Sequence, residues 1–65
     1  MKILTWRARY MKGMTLQELA KLTGISKSTL NNIENGKTSP TLDQLKAIAK
    51  ALDTSITSLF DDEYK

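Results

Sequence analysis

The chain has 65 residues, 40% of them hydrophobic, with no cysteine, no histidine and a formal net charge of +3. That length points to one domain, residues 1–65, near the lower limit for folding without disulfides or metal. Without Cys and His, a disulfide framework, thiol chemistry, the commonest general base and the commonest zinc ligands are all excluded.

In chain order, a first helix is predicted from about Ile3 to Met11. Its apolar residues, Ile3, Leu4, Trp6, Ala8, Tyr10 and Met11, are spread widely around it, and Gly13 ends it. Aromatic residues on a short helix of so small a domain belong to the core or its rim, with stacking on bases the other reading of Trp6 and Tyr10. A second helix opens on the capping box Thr15-x-x-Glu18, with Met14 placed to staple onto Leu19. Leu16, Leu19, Ala20 and Thr23 trace its buried stripe, and Gly24 stands where a left-handed C-cap is needed. Ser26 caps a third helix, with Ile25 and Leu30 in the staple positions, and Asn35-Gly36 closes it. Lys37-Thr38-Ser39-Pro40 is a loop. Thr41 with Gln44 makes a second capping box, opening a fourth helix whose apolar face is Leu42, Leu45, Ile48, Ala49 and Leu52. Asp53-Thr54 breaks the chain, and Ser55 caps a short fifth helix carrying Ile56, Leu59 and Phe60. The expectation is all-α: five helices in one compact bundle.

The third helix divides cleanly. At 100° per residue, Thr29, Leu30 and Ile33 fall on one side, and Lys27, Ser28, Asn31, Asn32 and Asn35 on the other. That polar arc holds amides, a hydroxyl and an ammonium but no carboxylate. Amides and ammonium groups match the acceptors and donors of major-groove base edges, Asn with adenine and Lys with guanine. The charge distribution agrees. Nine Lys/Arg against Glu18, Glu34 and Asp43 give residues 1–52 a charge of +6, while Asp53, Asp61, Asp62 and Glu63 against Lys65 leave the rest at −3. A basic body suits a polyanion partner.

These residues resemble the Cro- and phage-repressor-type helix-turn-helix family. The resemblance runs from about Arg9 to Phe60. It rests on Met14-Thr15-x-x-Glu18-Leu19-Ala20, Gly24-Ile25-Ser26, Leu30, Ile33-Glu34-Asn35-Gly36 and Pro40-Thr41-Leu42, then on Ala47 to Leu52 and Ser55-Ile56 with Leu59-Phe60. It implies a five-helix, lambda-repressor-like bundle with the helix-turn-helix at about residues 15–35, the third helix entering the major groove and the second crossing the backbone. It further implies base contacts from Lys27, Ser28 and Asn32, with Asn31 a further candidate, and phosphate contacts from Thr15, Ser26, Asn35 and the Lys37-Thr38 loop. Arg9 and Glu34 fall where the family places an internal ion pair. Many members carry Gln where this chain has Leu16, which cannot donate to phosphate, so Gln17 or Lys21 takes that role. The usual Gly after the fourth helix is Asp53, and the usual acid early in the fifth is Ser58.

The function these readings imply is sequence-specific binding of double-stranded DNA by a transcriptional regulator, with repression the expected mode. A homodimer is expected on the operator, its contact at Ile56, Leu59 and Phe60, residues that serve equally well to complete the core. The alternative is an antitoxin or other protein-interaction module on the same scaffold, against which stands the short stretch after Phe60. No cofactor, metal or catalytic group is expected: Asp61, Asp62 and Glu63 cluster on a tail without enclosure. No apolar run approaches the ~20 residues of a membrane span. Lys2, Arg7 and Arg9 surround only short apolar pairs, so there is no signal peptide and the cytoplasm is the expected compartment.

Overall fold

The structure, a computed structural model, describes residues 2–61. Asp62 and Glu63 of the acidic tail, with Lys65, lie outside the described residues. The order of elements is β1 (Lys2–Ile3), α1 (Thr5–Met11), α2 (Leu16–Thr23), α3 (Lys27–Glu34), α4 (Leu42–Ala51), a 3₁₀ turn (Ile56–Leu59) and β2 (Phe60–Asp61).

Local chemistry sets most of these boundaries. The Thr15 hydroxyl accepts from the Glu18 N–H at 3.1 Å and the Glu18 carboxylate accepts from the Thr15 N–H at 3.1 Å, a complete capping box. Thr41 and Gln44 repeat it at the start of α4. Between α2 and α3 the chain turns on Gly24, whose φ of 75° is the left-handed conformation that side chains resist. Its N–H donates to the Ala20 carbonyl at 2.9 Å. After α4 the same geometry falls to Asp53, at φ 52°, the one described residue other than glycine with positive φ. Leu19, Leu30, Leu45, Ile48, Ala49, Leu52 and Leu59 form the buried core, flanked by Ala8, Met14, Leu16, Ala20, Ile25, Ala51 and Ile56.

Three expectations are corrected. The described residues form four α-helices and not five. Ile56-Thr57-Ser58-Leu59 makes a single 3₁₀ turn, because β-branched and hydroxyl residues hold helix poorly and Ser55 caps no backbone N–H. The Ser55 hydroxyl instead bonds those of Thr57 and Ser58. Phe60 then leaves in extended backbone, pairing with Ile3 in a two-stranded antiparallel ribbon, and the Leu4 N–H donates to the Leu59 carbonyl at 2.7 Å. That ribbon takes Ile3 out of α1. The third correction concerns faces. On α1 the inward residue is Thr5, fully buried, with Ala8 beside the core, whereas Trp6, Tyr10 and Met11 are exposed. Leu42, on the first turn of α4 ahead of the packed residues, is exposed as well.

Candidate nucleic-acid interface

α3 is eight residues long, too short to hold its own conformation in water, so its neighbours must orient it. Leu30 and Ile33, buried almost completely, press one side into the domain. Lys27, Ser28 and Asn31 stand exposed on the other, and Asn32 is half-buried at the margin. Asn31 therefore projects further than Asn32, although the resemblance favours Asn32.

The one acid of α3 is Glu34, and it is turned away from that face. Arg9 of α1 grips it with two hydrogen bonds, Nε to Oε2 at 2.7 Å and Nη2 to Oε1 at 3.0 Å. The side chains are 19% and 8% exposed, so the pair lies largely out of water. The Glu34 hydrogen bonds hold the Arg9 guanidinium above its ordinary pKa, against the opposing effect of burial, and the Glu34 charge adds to them. The third donor, Nη1, reaches the Met14 carbonyl at 2.9 Å. One side chain thus ties the end of α1, the approach to α2 and the end of α3.

The phosphate candidates divide in two. Thr15 and Ser26 are exposed, but their hydroxyl protons are engaged. Thr15 Oγ1 donates to Glu18 Oε1 at 3.0 Å. Ser26 Oγ donates to Thr29 Oγ1 at 2.8 Å while accepting from the Thr29 N–H at 3.2 Å. Gln17, Asn35, Lys37 and Thr38 are exposed at the entry and exit of the unit. The Lys37-Thr38 loop folds back over the end of α3, since both of its N–H groups donate to the Asn32 carbonyl, at 2.9 and 3.4 Å. Leu16 is half-buried against the core, so it serves packing.

Among the suggested dimer residues, Leu59 is 0% exposed and cannot meet a partner, because it fills the core beneath the closing ribbon. Ile56 packs on that core and Phe60 is half-buried. The sequence places one neighbour of the interface in the core or its rim, with base stacking as the other reading. Tyr10 lines a groove with Thr15, Gln17 and Lys27. The signal available for it is its place on α1 one turn after Trp6, a pair the capped core leaves outside.

The profile of the helix-turn-helix family matches residues 6–59, most of the chain. The chain belongs to the helix-turn-helix family. Within it, the chain is 38% identical over 58 residues to the transcriptional regulator SinR of Bacillus subtilis, spanning 88% of this chain and about half, 52%, of that regulator. An uncharacterised transcriptional regulator of the family from Archaeoglobus fulgidus is 41% identical over 64 residues, covering 95% of this chain and 89% of the relative. Among solved structures, the N-terminal DNA-binding domain of SinR superposes with a TM-score of 0.81 at 32% identity, over 94% of this chain and 90% of that domain. α2 and α3 are joined by Gly24-Ile25-Ser26. Among the described residues, no helix is long and apolar enough to cross a membrane.

Proposed function

We propose that this chain is a transcriptional regulator that binds double-stranded DNA sequence-specifically, acting by occupancy of its site and not by catalysis, in the cytoplasm. The carrying observation is the division of α3: apolar residues buried, the only acid locked on Arg9, and Lys27, Ser28 and Asn31 free on the outer face. In this reading Lys27, Ser28, Asn31 and Asn32 meet base edges in the major groove. Gln17, Asn35, Lys37 and Thr38 hold phosphates. Thr15 and Ser26 serve first as caps and reach phosphate only by releasing Glu18 or Thr29. The relatives' designation as transcriptional regulators supports the same reading.

One eight-residue helix in one groove is a small footprint, so the regulator acts as a homodimer on a palindromic operator, with its two reading helices about 34–36 Å apart. With Leu59 buried, Ile56 and Phe60 are the remaining candidates at that end of the domain. Where the operator overlaps a promoter, occupancy represses.

The test is selection of bound sequences from random duplex DNA by the purified chain, followed by footprinting and salt titration. The expected motif is two half-sites about one helical turn apart. Log affinity should fall with log salt by about 0.9 per phosphate neutralised. Equal binding to all sequences, or a flat salt response, would refute a specific regulator.

A further inference from the structure

The first turn of α3 does not stand alone at the surface. A groove of about 800 Å³ opens beside Lys27, lined by Arg9 and Tyr10 of α1, by Gly13 and Met14 after it, and by Thr15, Leu16 and Gln17 at the start of α2. Tyr10 is 77% exposed, the most exposed of the large apolar side chains among the described residues. Trp6, Met11, Leu22 and Leu42 are exposed as well, so what distinguishes Tyr10 is its place beside Lys27 in this groove.

The position of Tyr10 is nonetheless well determined. The residue before it, Arg9, is fixed by three hydrogen bonds to Glu34 and to the Met14 carbonyl. The Gly13 N–H donates to the Tyr10 carbonyl at 3.0 Å and the Met14 N–H to the Arg9 carbonyl at 3.1 Å. The end of α1 is therefore held in one relation to α2 and α3, and Tyr10 moves with that frame.

The charge of the groove indicates its occupant. Its lining includes no carboxylate, and its cations are Lys27 and Arg9, the latter already paired with Glu34, so Lys27 sets its positive charge. The nearest acid along α2, Glu18, accepts both donors of Thr15. The groove is continuous with the reading face through Lys27, so a duplex seated on α3 runs its sugar-phosphate backbone past it. A phenol is a neutral hydrogen-bond donor, and tyrosine is among the side chains that hold phosphate oxygens in protein–DNA interfaces. We infer that the Tyr10 hydroxyl donates to a backbone phosphate of the bound duplex, a contact that positions the reading helix without reading sequence. The inference rests on the DNA-binding function proposed above, and it supplies the α2-side contact that Leu16 cannot make.

A neutral donor leaves a signature that a charged one does not. Removing a lysine from a phosphate lowers the salt slope by about one; removing a phenol hydroxyl releases no counterion and leaves the slope unchanged. Tyr10→Phe should therefore bind about three- to tenfold more weakly on preferred and scrambled duplexes alike. Its salt slope and melting temperature should match the parent's. Ethylation interference should show one phosphate per half-site whose modification weakens the parent but not the Tyr10→Phe variant. If the parent binds specifically and Tyr10→Phe binds equally well, the contact is refuted and the regulator is not. A loss confined to the preferred sequence also overturns it, since Tyr10 would then be reading bases. A parent that binds no duplex refutes the function itself.

Discussion

Glu34→Gln separates orientation from recognition, because Glu34 borders the reading face but its carboxylate is turned inward. The substitution keeps the shape and one acceptor oxygen. It removes the charge and places an amide N–H₂ against a guanidinium N–H, so one of the two bonds from Arg9 is lost and two donors face each other. An exposed ion pair is worth under ~1 kcal/mol, and breaking a fully buried one costs ~3–5 kcal/mol. With side chains 19% and 8% exposed, this pair falls between those limits. A cost of about 2 kcal/mol is expected, close to that of one hydrogen bond to a charged group. For a domain of this size each kcal/mol moves the melting temperature by about 4–8 °C, so the variant should melt about 8–16 °C lower by circular dichroism. Arg9→Met and the double variant complete a thermodynamic cycle, and the double variant should be less damaged than the sum of the singles. Sequence preference among duplexes should be unchanged at temperatures where the variant is folded. An unaltered melting temperature together with an altered preference would refute the reasoning and move Glu34 into the reading face.

Thr5 is 1% exposed and its hydroxyl has no hydrogen-bond partner, so Thr5→Val, which removes the hydroxyl at nearly constant volume, should stabilise the domain by about 1 kcal/mol. A lower melting point would show that the hydroxyl has a partner after all. Asp53 pays twice, in left-handed backbone and as an anion just past the C-terminal end of α4; Asp53→Gly should therefore raise stability by about 1 kcal/mol and Asp53→Asn by part of that, read by denaturant titration. Lys27→Ala should lose roughly 1–3 kcal/mol of discrimination at one or two base pairs, whereas Lys37→Ala should weaken binding to every sequence and lower the salt slope by about one. Competition binding at several salt concentrations distinguishes the two, and identical behaviour of the variants would undo the division of the interface.

The helix starts are legible in the chain because capping is local. Thr15 with Glu18, Ser26 ahead of Thr29, and Thr41 with Gln44 each find their partner within one turn. Gly24 marks its left-handed position for the same reason, whereas Asp53 is marked through the resemblance, as the residue in place of the usual Gly. The face of α1 is not legible. Its inward positions carry a hydroxyl, a methyl and a guanidinium, in Thr5, Ala8 and Arg9, which give no apolar periodicity, while the aromatic residues that do attract the eye stand outside. The tail fails differently. Ile3 meets Phe60 across nearly the whole chain, and strands of two residues have no period to read. At the interface, which residues share a face follows from the 100° step. Which hydroxyl protons are already engaged does not, since it depends on how the Glu18 and Thr29 side chains turn.

The engaged hydroxyls bear on how a unit this small can read DNA at all. Productive base contacts require side chains held to within about 0.5 Å, and a helix of two turns supplies little rigidity of its own. Here the order comes from several directions. Leu30 and Ile33 fix the depth of α3, and Ser26 with Thr29 fixes its first turn. Arg9 fixes its last residue against two other elements, and the Asn32 carbonyl, taking both loop N–H groups, fixes the chain beyond it. Leu30 and Ile33 do this from the buried side of α3, and the polar groups from its ends, each already engaged within the protein. What is left outward is a short set of side chains on a preorganised frame, so little ordering remains to be done on binding. The acid at the edge of the face follows the same logic. Under the proposed function, Glu34 is tolerated there because Arg9 holds its carboxylate inward, as the joint that ties α3 to α1.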